Sequence, residues 1–407
     1  MTTTDTHTPR PLDGIRVIDL ASVVMGPYAA QILGDLGADV IKIEAPDGDV
    51  MRMMNRRDSE SDIGGISLNL NRNKRSAALD LKTPEGREAA LALVGTADVL
   101  ITNMRPKALK KLGLTYDDLA AAHPGLIYCN AQGFRSDSAY ADLPAYDEVV
   151  QATSGMVDLM RRATGEAHYV PTILADKVCG LTIAYSVLAA LVARQRTGRG
   201  QHVEVPMTDT MFAFTLVEHL AGGAYAAEHD ERAAGSAGFA RSLSPGHRAY
   251  ATKDGWACIL PYSHRNFTDF FDYVGRPEVM ADERFATPDG VRRNTPALYD
   301  EVAKETGRHT TDEWAGICAG LNIPFGRVLD IDRVDSHPYW SDGGMLRTVR
   351  HPSEGDYRAV GNPVRFDGEP VPMRRHCPRV GEHTGELLAE AGWSEERIAA
   401  LRSRVEA

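Results

Sequence analysis

Cysteine is scarce and scattered. The five residues, Cys129, Cys179, Cys258, Cys318 and Cys377, show no paired spacing of a zinc site or a redox dithiol, so a disulfide framework is not expected and a reducing cytoplasm is. Basic charge is in deficit: 45 Lys and Arg face 56 Asp and Glu, for a net charge of -11. That balance argues against a general nucleic-acid binder but leaves room for a local basic pocket. Long apolar runs are missing as well. The most apolar window, Val178 to Ala193, is short for a membrane span and is flanked by Lys177 and Arg194, so it reads as a core helix and no membrane is expected. Residues 1 to 10 lack the apolar core of a signal peptide and read as a mobile tail. No HExxH spacing and no carboxylate pair of ligand type occurs, which predicts no metal. Gly34 and Gly37 lack the spacing of a dinucleotide fingerprint, and a P-loop is absent, so no nicotinamide cofactor is inferred.

What is present is an ordinary globular composition. At 407 residues, 43% hydrophobic and 25% charged, the chain is long enough for about two to three domains. Ile15 to Leu20 reads as a buried strand, Pro27 to Leu36 as a helix and Asp39 to Glu44 as a second strand. The alternation continues through strands at 76–81, 98–102 and 126–132, with helices at 83–95, 106–112 and 116–122. This predicts an α/β fold with a Rossmann-like open parallel sheet, whose ligands bind outside the carboxyl ends of the strands. A helix follows at 209–226, then a linker rich in Ala, Gly and Ser over 226–245. A smaller α+β unit over 246–330 opens with a hairpin turning at Asp254-Gly255, and helices follow near 265–274, 296–306 and 311–321.

Three stretches carry candidate chemistry. Lys82 and the run Arg105, Lys107, Lys110 and Lys111 follow predicted strands, and read either as a solvated helix face or as a holder of phosphates. Tyr146 and Asp147 precede a helix, where Asp147 suits an N-cap and Tyr146 suits packing. Asp176 stands where the loop Tyr169 to Thr172 gives way to a long apolar helix. As an N-cap it accepts hydrogen bonds from free backbone N–H groups. As a nucleophile it uses the same N–H groups and the helix dipole to remain ionised although partly desolvated. Thirteen histidines form no recognisable constellation. The residues alone therefore reach an anion-binding α/β protein with one conspicuous aspartate.

The order of motifs resembles the class III CoA-transferase family, also called CaiB/BaiF, from about Pro11 to Leu401. The carrying stretches are VIDLASVVMGPYAAQILGDLGADVIKIEAPDGD from Val17, NKRSAALDLKTPEG from Asn73, YDEVVQATSG from Tyr146, TGRGQHVEV from Thr197 and GEHT from Gly381. The resemblance implies transfer of CoA from an acyl-CoA to a free carboxylic acid, with Asp176 as the catalytic carboxylate and a coenzyme A thioester as substrate. No bound cofactor is implied. It implies CoA contacts at Val24, Met25, Leu79, Lys82, Asn103, Met104, Arg105, Lys111 and Tyr146. It further implies an interlocked homodimer whose large domain combines residues 11–225 with the returning segment 331–407. The formyl-CoA transferases have Gln at the position of Val24, a basic residue at Ala45 and a glycine-rich loop that this chain lacks. Those departures argue against oxalate as acceptor and for a less polar acyl group. The racemase branch places His where Tyr146 stands, and a phenol with a pKa near 10 is a poor base at neutrality. Racemisation and non-catalytic CoA binding are thus the alternative expectations.

Overall fold

The computed structural model describes residues 10–58, 60–224 and 237–405. Residues 1–9 of the expected tail over 1–10 and residues 226–236 of the expected linker over 226–245 lie outside the described residues. Two compact units are present: one holds the described residues up to Gly155, Tyr169–Phe214 and those from Tyr339 onward, the other Met156–His168 and Thr215–Pro338.

The first unit is built on a six-stranded sheet in the order β3-β2-β1-β4-β5-β6. Its strands are β1 (Arg16–Leu20), β2 (Asp39–Glu44), β3 (Lys74–Ala78), β4 (Val99–Thr102), β5 (Ile127–Gln132) and β6 (His202–Pro206). Every pairing is parallel, with Val17 beside both Val40 and Val99. Parallel strands covered on both faces read as continuous apolar runs rather than alternating ones, and Val17, Ile18, Val40, Ile41, Val99, Leu100 and Ile101 are all buried. One face packs Ile18, Leu20, Ile41, Ile43, Leu100 and Tyr128 against Leu93, Val94, Leu387 and Leu388. The opposite face receives α1 (Met25–Asp35), where a Cβ on Gly26 would meet Ala21 at 2.3 Å and Ile101 at 3.5 Å. Strand order reverses between β1 and β4, which makes their carboxyl ends the switch point where ligands bind in such sheets.

Three further helices frame that edge: α2 (Pro106–Leu112), α3 (Asp147–Thr153) and α4 (Leu174–Thr197). Among the described residues α4 alone is long and apolar enough to cross a membrane, yet half of its most apolar window is buried inside the protein. Its start lies against α1, since a Cβ on Gly180 would stand 2.8 Å from the Met25 carbonyl. Only glycine allows that approach.

Several boundaries differ from the sequence expectation. β3 begins at Lys74 rather than Ser76, because the buried ammonium finds partners inside the fold. The helix expected over 209–226 runs from Met207 to His219. In the second unit the hairpin forms between Tyr250–Ala251 and Trp256–Ile259, joined by Phe325–Arg327. The helix expected to open at Pro296 begins at Pro288 and is interrupted at Asn294, where φ is -114°. Phe267, Phe270, Phe271, Trp314, Tyr299 and Leu298 form this unit's core.

Candidate active site

The loop after β1 is fixed atom by atom. Ala21 N–H donates to Asp19 Oδ1 at 3.2 Å, and Lys42 Nζ donates to the Ala21 carbonyl at 2.9 Å. Across the switch point Ser22 N–H donates to Asn103 Oδ1 at 3.0 Å while Asn103 Nδ2 donates to the Ser22 carbonyl at 2.8 Å. Val23 N–H reaches Asp49 Oδ1 at 3.3 Å. Val23 itself has φ +67°, a left-handed conformation that is costly for a β-branched residue.

Beneath the loop lies a row of buried charge. Lys74 Nζ donates to Asp19 Oδ2 at 2.8 Å, the Pro27 carbonyl at 2.8 Å and Asn71 Oδ1 at 2.9 Å, which uses all three ammonium protons. Lys42 pairs with Asp49 at 3.0 Å. Arg52 forks onto both oxygens of Glu44, each at 2.7 Å. Burial opposes ionisation of Asp19, but Lys42 and Lys74 outweigh it and hold the carboxyl below the ordinary range. Burial pushes the Lys74 ammonium down to about 8 against the pull of Asp19. The sequence expectation places Asp19, Lys42 and Glu44 in strands and leaves Lys74, Asp49 and Arg52 outside them; nothing local marks a lysine as buried, and only pairing across three strands reveals the network.

At the carboxyl ends of β1, β4, β5 and β6 opens a cavity of about 400 Å³ lined by Ser22, Val23, Met25, Asn103, Met104, Arg105, Gln132, Met207, the 141–146 segment and Asp176. Of the residues implied by the resemblance, the structure brings Met25, Asn103, Met104, Arg105, Tyr146 and Asp176 together here. Lys111 lines an adjoining cavity of about 310 Å³ with Arg105, Lys107, Ala108 and Asp142, where Lys107 pairs with Asp142 at 2.9 Å. Val24 is buried instead against Met51 and Leu70. Leu79 is buried in the sheet core. Lys82 is exposed beyond β3 and lines neither cavity.

Asp176 is the third residue of α4, not its N-cap, which is Ile173. Asp147 likewise is the first residue of α3 rather than its cap. Its carboxylate bridges the two helices: Oδ1 accepts Asp176 N–H of α4 at 3.1 Å and Oδ2 accepts Gln151 Nε2 of α3 at 2.6 Å. Gln151 Oε1 in turn accepts Val170 N–H at 2.9 Å, which ties the segment before α4 to α3. Asp176 as a residue is only 8% exposed, and among the described residues none donates a hydrogen bond to its carboxylate. Burial, then Asp147, then Glu148, push its pKa up to about 7. Desolvation and two neighbouring anions thus oppose the ionisation that the helix start was expected to favour. One turn on, burial and then Asp176 push the Cys179 thiol up to about 12, so thiolate is negligible there at neutrality.

A larger cavity of about 860 Å³ lies elsewhere in the first unit, between Asp35, Arg72 and the stretches 342–349, 359–365 and 370–373. Its carboxylate is committed, since Asp35 pairs with Arg72 at 2.6 Å and accepts from Gln31 and Asn73. The smaller cavity is the one lined by Asp176, whose carboxylate accepts no hydrogen bond from the described residues.

Fold and site together define a doubly wound α/β protein with a buried carboxylate at its ligand-binding switch point. CoA-transferase family III matches residues 12–384, and the chain belongs to that family. Formyl-CoA:oxalate CoA-transferases from Shigella sonnei strain Ss046 and from Escherichia coli O6:H1 are each 30% identical over 411 residues, spanning 96% of this chain and 98% of the relative. Among solved structures, a CaiB/BaiF family protein from Brucella suis superposes with a TM-score of 0.78 at 30% identity, covering 94% of this chain and 99% of its own. Rv3272 from Mycobacterium tuberculosis gives 0.77 at 29% identity, with coverage of 92% and 98%.

Proposed function

We propose that this chain moves CoA from an acyl-CoA donor to a free carboxylic acid, with Asp176 as the covalent carrier. The observation that carries the reading is a carboxylate facing the switch-point cavity, buried, with no hydrogen-bond donor among the described residues. A carboxylate so desolvated is more basic and more nucleophilic than one in water.

The steps balance without electrons changing hands. Asp176 attacks the thioester carbon and the C–S bond breaks, giving a mixed anhydride and CoA thiolate. The thiolate attacks the Asp176 carbonyl, releasing the donor's acid and leaving an aspartyl-CoA thioester. The acceptor carboxylate displaces the thiolate to form a second anhydride. The thiolate then takes the new acyl group and frees Asp176. Arg105 and Lys111 hold the phosphates of CoA in the adjoining cavity, and Val23 and Met25 face the acyl group, favouring a less polar one than formyl or oxalyl.

The test is mass spectrometry of the Asp176 peptide after mixing with a panel of acyl-CoAs and trapping with hydroxylamine. A hydroxamate on Asp176 that depends on acyl-CoA is expected. Absence of any adduct, with solvent deuterium entering the α position of the acyl-CoA, would replace transfer by racemisation. The same reading makes the protein an interlocked homodimer. Outward apolar residues on α4, Leu181 at 51%, Tyr185 at 62% and Val192 at 47% exposed, support a covered face. Sedimentation at the monomer mass would count against it.

A further inference from the structure

Gln132 ends β5, lines the cavity that holds Asp176, and is 5% exposed. Among the described residues neither its Nε2 nor its Oε1 has a hydrogen-bond partner. A buried carboxamide with both ends unpaired is costly; the cost is recovered when a ligand supplies both partners.

We propose that Gln132 is the residue that binds a secondary amide of the pantetheine arm of CoA, an assignment that rests on the CoA reading above. The pairing follows from donor and acceptor inventories. A carboxylate or a thioester carbonyl offers acceptors only, and would leave Oε1 orphaned. A secondary amide offers one C=O and one N–H, and satisfies Nε2 and Oε1 together. Position agrees with chemistry. Tyr128, on the same face of β5 as Gln132 by strand alternation, packs in the core layer that also holds Leu109 of α2. The basic cavity shares Arg105 and Ala108 of that region with the Asp176 cavity. A ligand with phosphates on Arg105 and Lys111 and its thioester at Asp176 spans both cavities, and Gln132 lines the one that holds Asp176.

The test is calorimetric titration of the full chain and of Gln132→Leu with CoA, together with thermal melts of both free proteins. Gln132→Leu is expected to weaken CoA binding roughly 10- to 100-fold, the effect of leaving a buried amide without partners. The free variant is expected to melt at or above the wild-type temperature, because an unpaired polar group has been removed. For hydroxylamine trapping on Asp176, the variant's loss is expected with acyl-CoA and acyl-pantetheine donors but not with an ethanethiol thioester, which has no amide. Unchanged CoA affinity in Gln132→Leu, or equal loss with all three donors, overturns the assignment while leaving the CoA reading intact. A wild-type chain that binds no CoA overturns both.

Discussion

Replacing Asp176 by Asn removes a titrating group with almost no change in volume. In the folded chain the carboxyl titrates at about 7 rather than at its ordinary 3.8, so between those values the folded state keeps a proton that the unfolded state has released. The stability tied to that proton is complete below pH 3.8 and is lost as pH rises through about 7. At about 1.4 kcal/mol for each tenfold change in proton affinity, the full loss is on the order of 4 kcal/mol. About 1.5 kcal/mol of it is gone by pH 5 and nearly all by pH 8. Asn carries no such dependence. Urea denaturation of both proteins should show the advantage of Asp176→Asn growing by about 2 to 3 kcal/mol between pH 5 and pH 8, at unchanged m-value. An advantage equal at both pH values would refute the reasoning, since it would place the carboxylate in contact with water.

Three other perturbations probe the loop that carries the site. Asn103→Leu deletes both hydrogen bonds to Ser22; because Ser22 is exposed, a stability loss of only about 1 kcal/mol is expected in urea, with a larger fall in acyl transfer. Val23→Gly relieves the left-handed strain at φ +67° and should stabilise the fold by about 1 kcal/mol; a loss of melting temperature would show that the valine side chain matters more than its backbone. Lys74→Met strands Asp19, whose other cation lies 3.9 Å away, and should cost about 3 to 5 kcal/mol. Adding Asp19→Asn should recover much of that loss, and failure to recover would indicate packing rather than charge.

The sheet was legible because its strands are continuous apolar runs with helical segments between them, and the switch point follows from strand order. Asp176 was legible as a carboxylate at a helix start. Its protonation was not, because the dominant causes are burial and Asp147, which lies 29 residues away in sequence. Val24 shows how a single backbone angle defeats sequence position. The left-handed turn at Val23 sends Val24 toward Met51 and Leu70, and Val23 faces the cavity in its place. Lys74 fails for a related reason: propensity places lysine outside a buried strand, whereas Asp19, Asn71 and the Pro27 carbonyl hold it within one. Gln132 carried no local signal at all, for an orphaned amide is visible only once its surroundings are known.

Asp147 meets Asp176 with two opposed effects, and they can be separated. Its Oδ1 accepts the Asp176 N–H, which fixes the start of α4; its charge resists ionisation of the Asp176 carboxyl. An acylated aspartate, whether anhydride or thioester, carries no charge. The repulsion and desolvation that disfavour the free carboxylate therefore favour the proposed uncharged intermediates over it as well. Asp147→Asn keeps an oxygen for the N–H and removes the charge. The pH midpoint of hydroxamate trapping on Asp176 should then shift down, and the fraction of enzyme trapped at saturating acyl-CoA should fall. Melting at pH 5, where Asp176 is largely neutral, reports any cost of setting the new amide against Gln151. A lower trapped fraction with an unmoved midpoint would mean that Asp147 acts only as an anchor for α4, and that burial alone sets the proton affinity of the nucleophile.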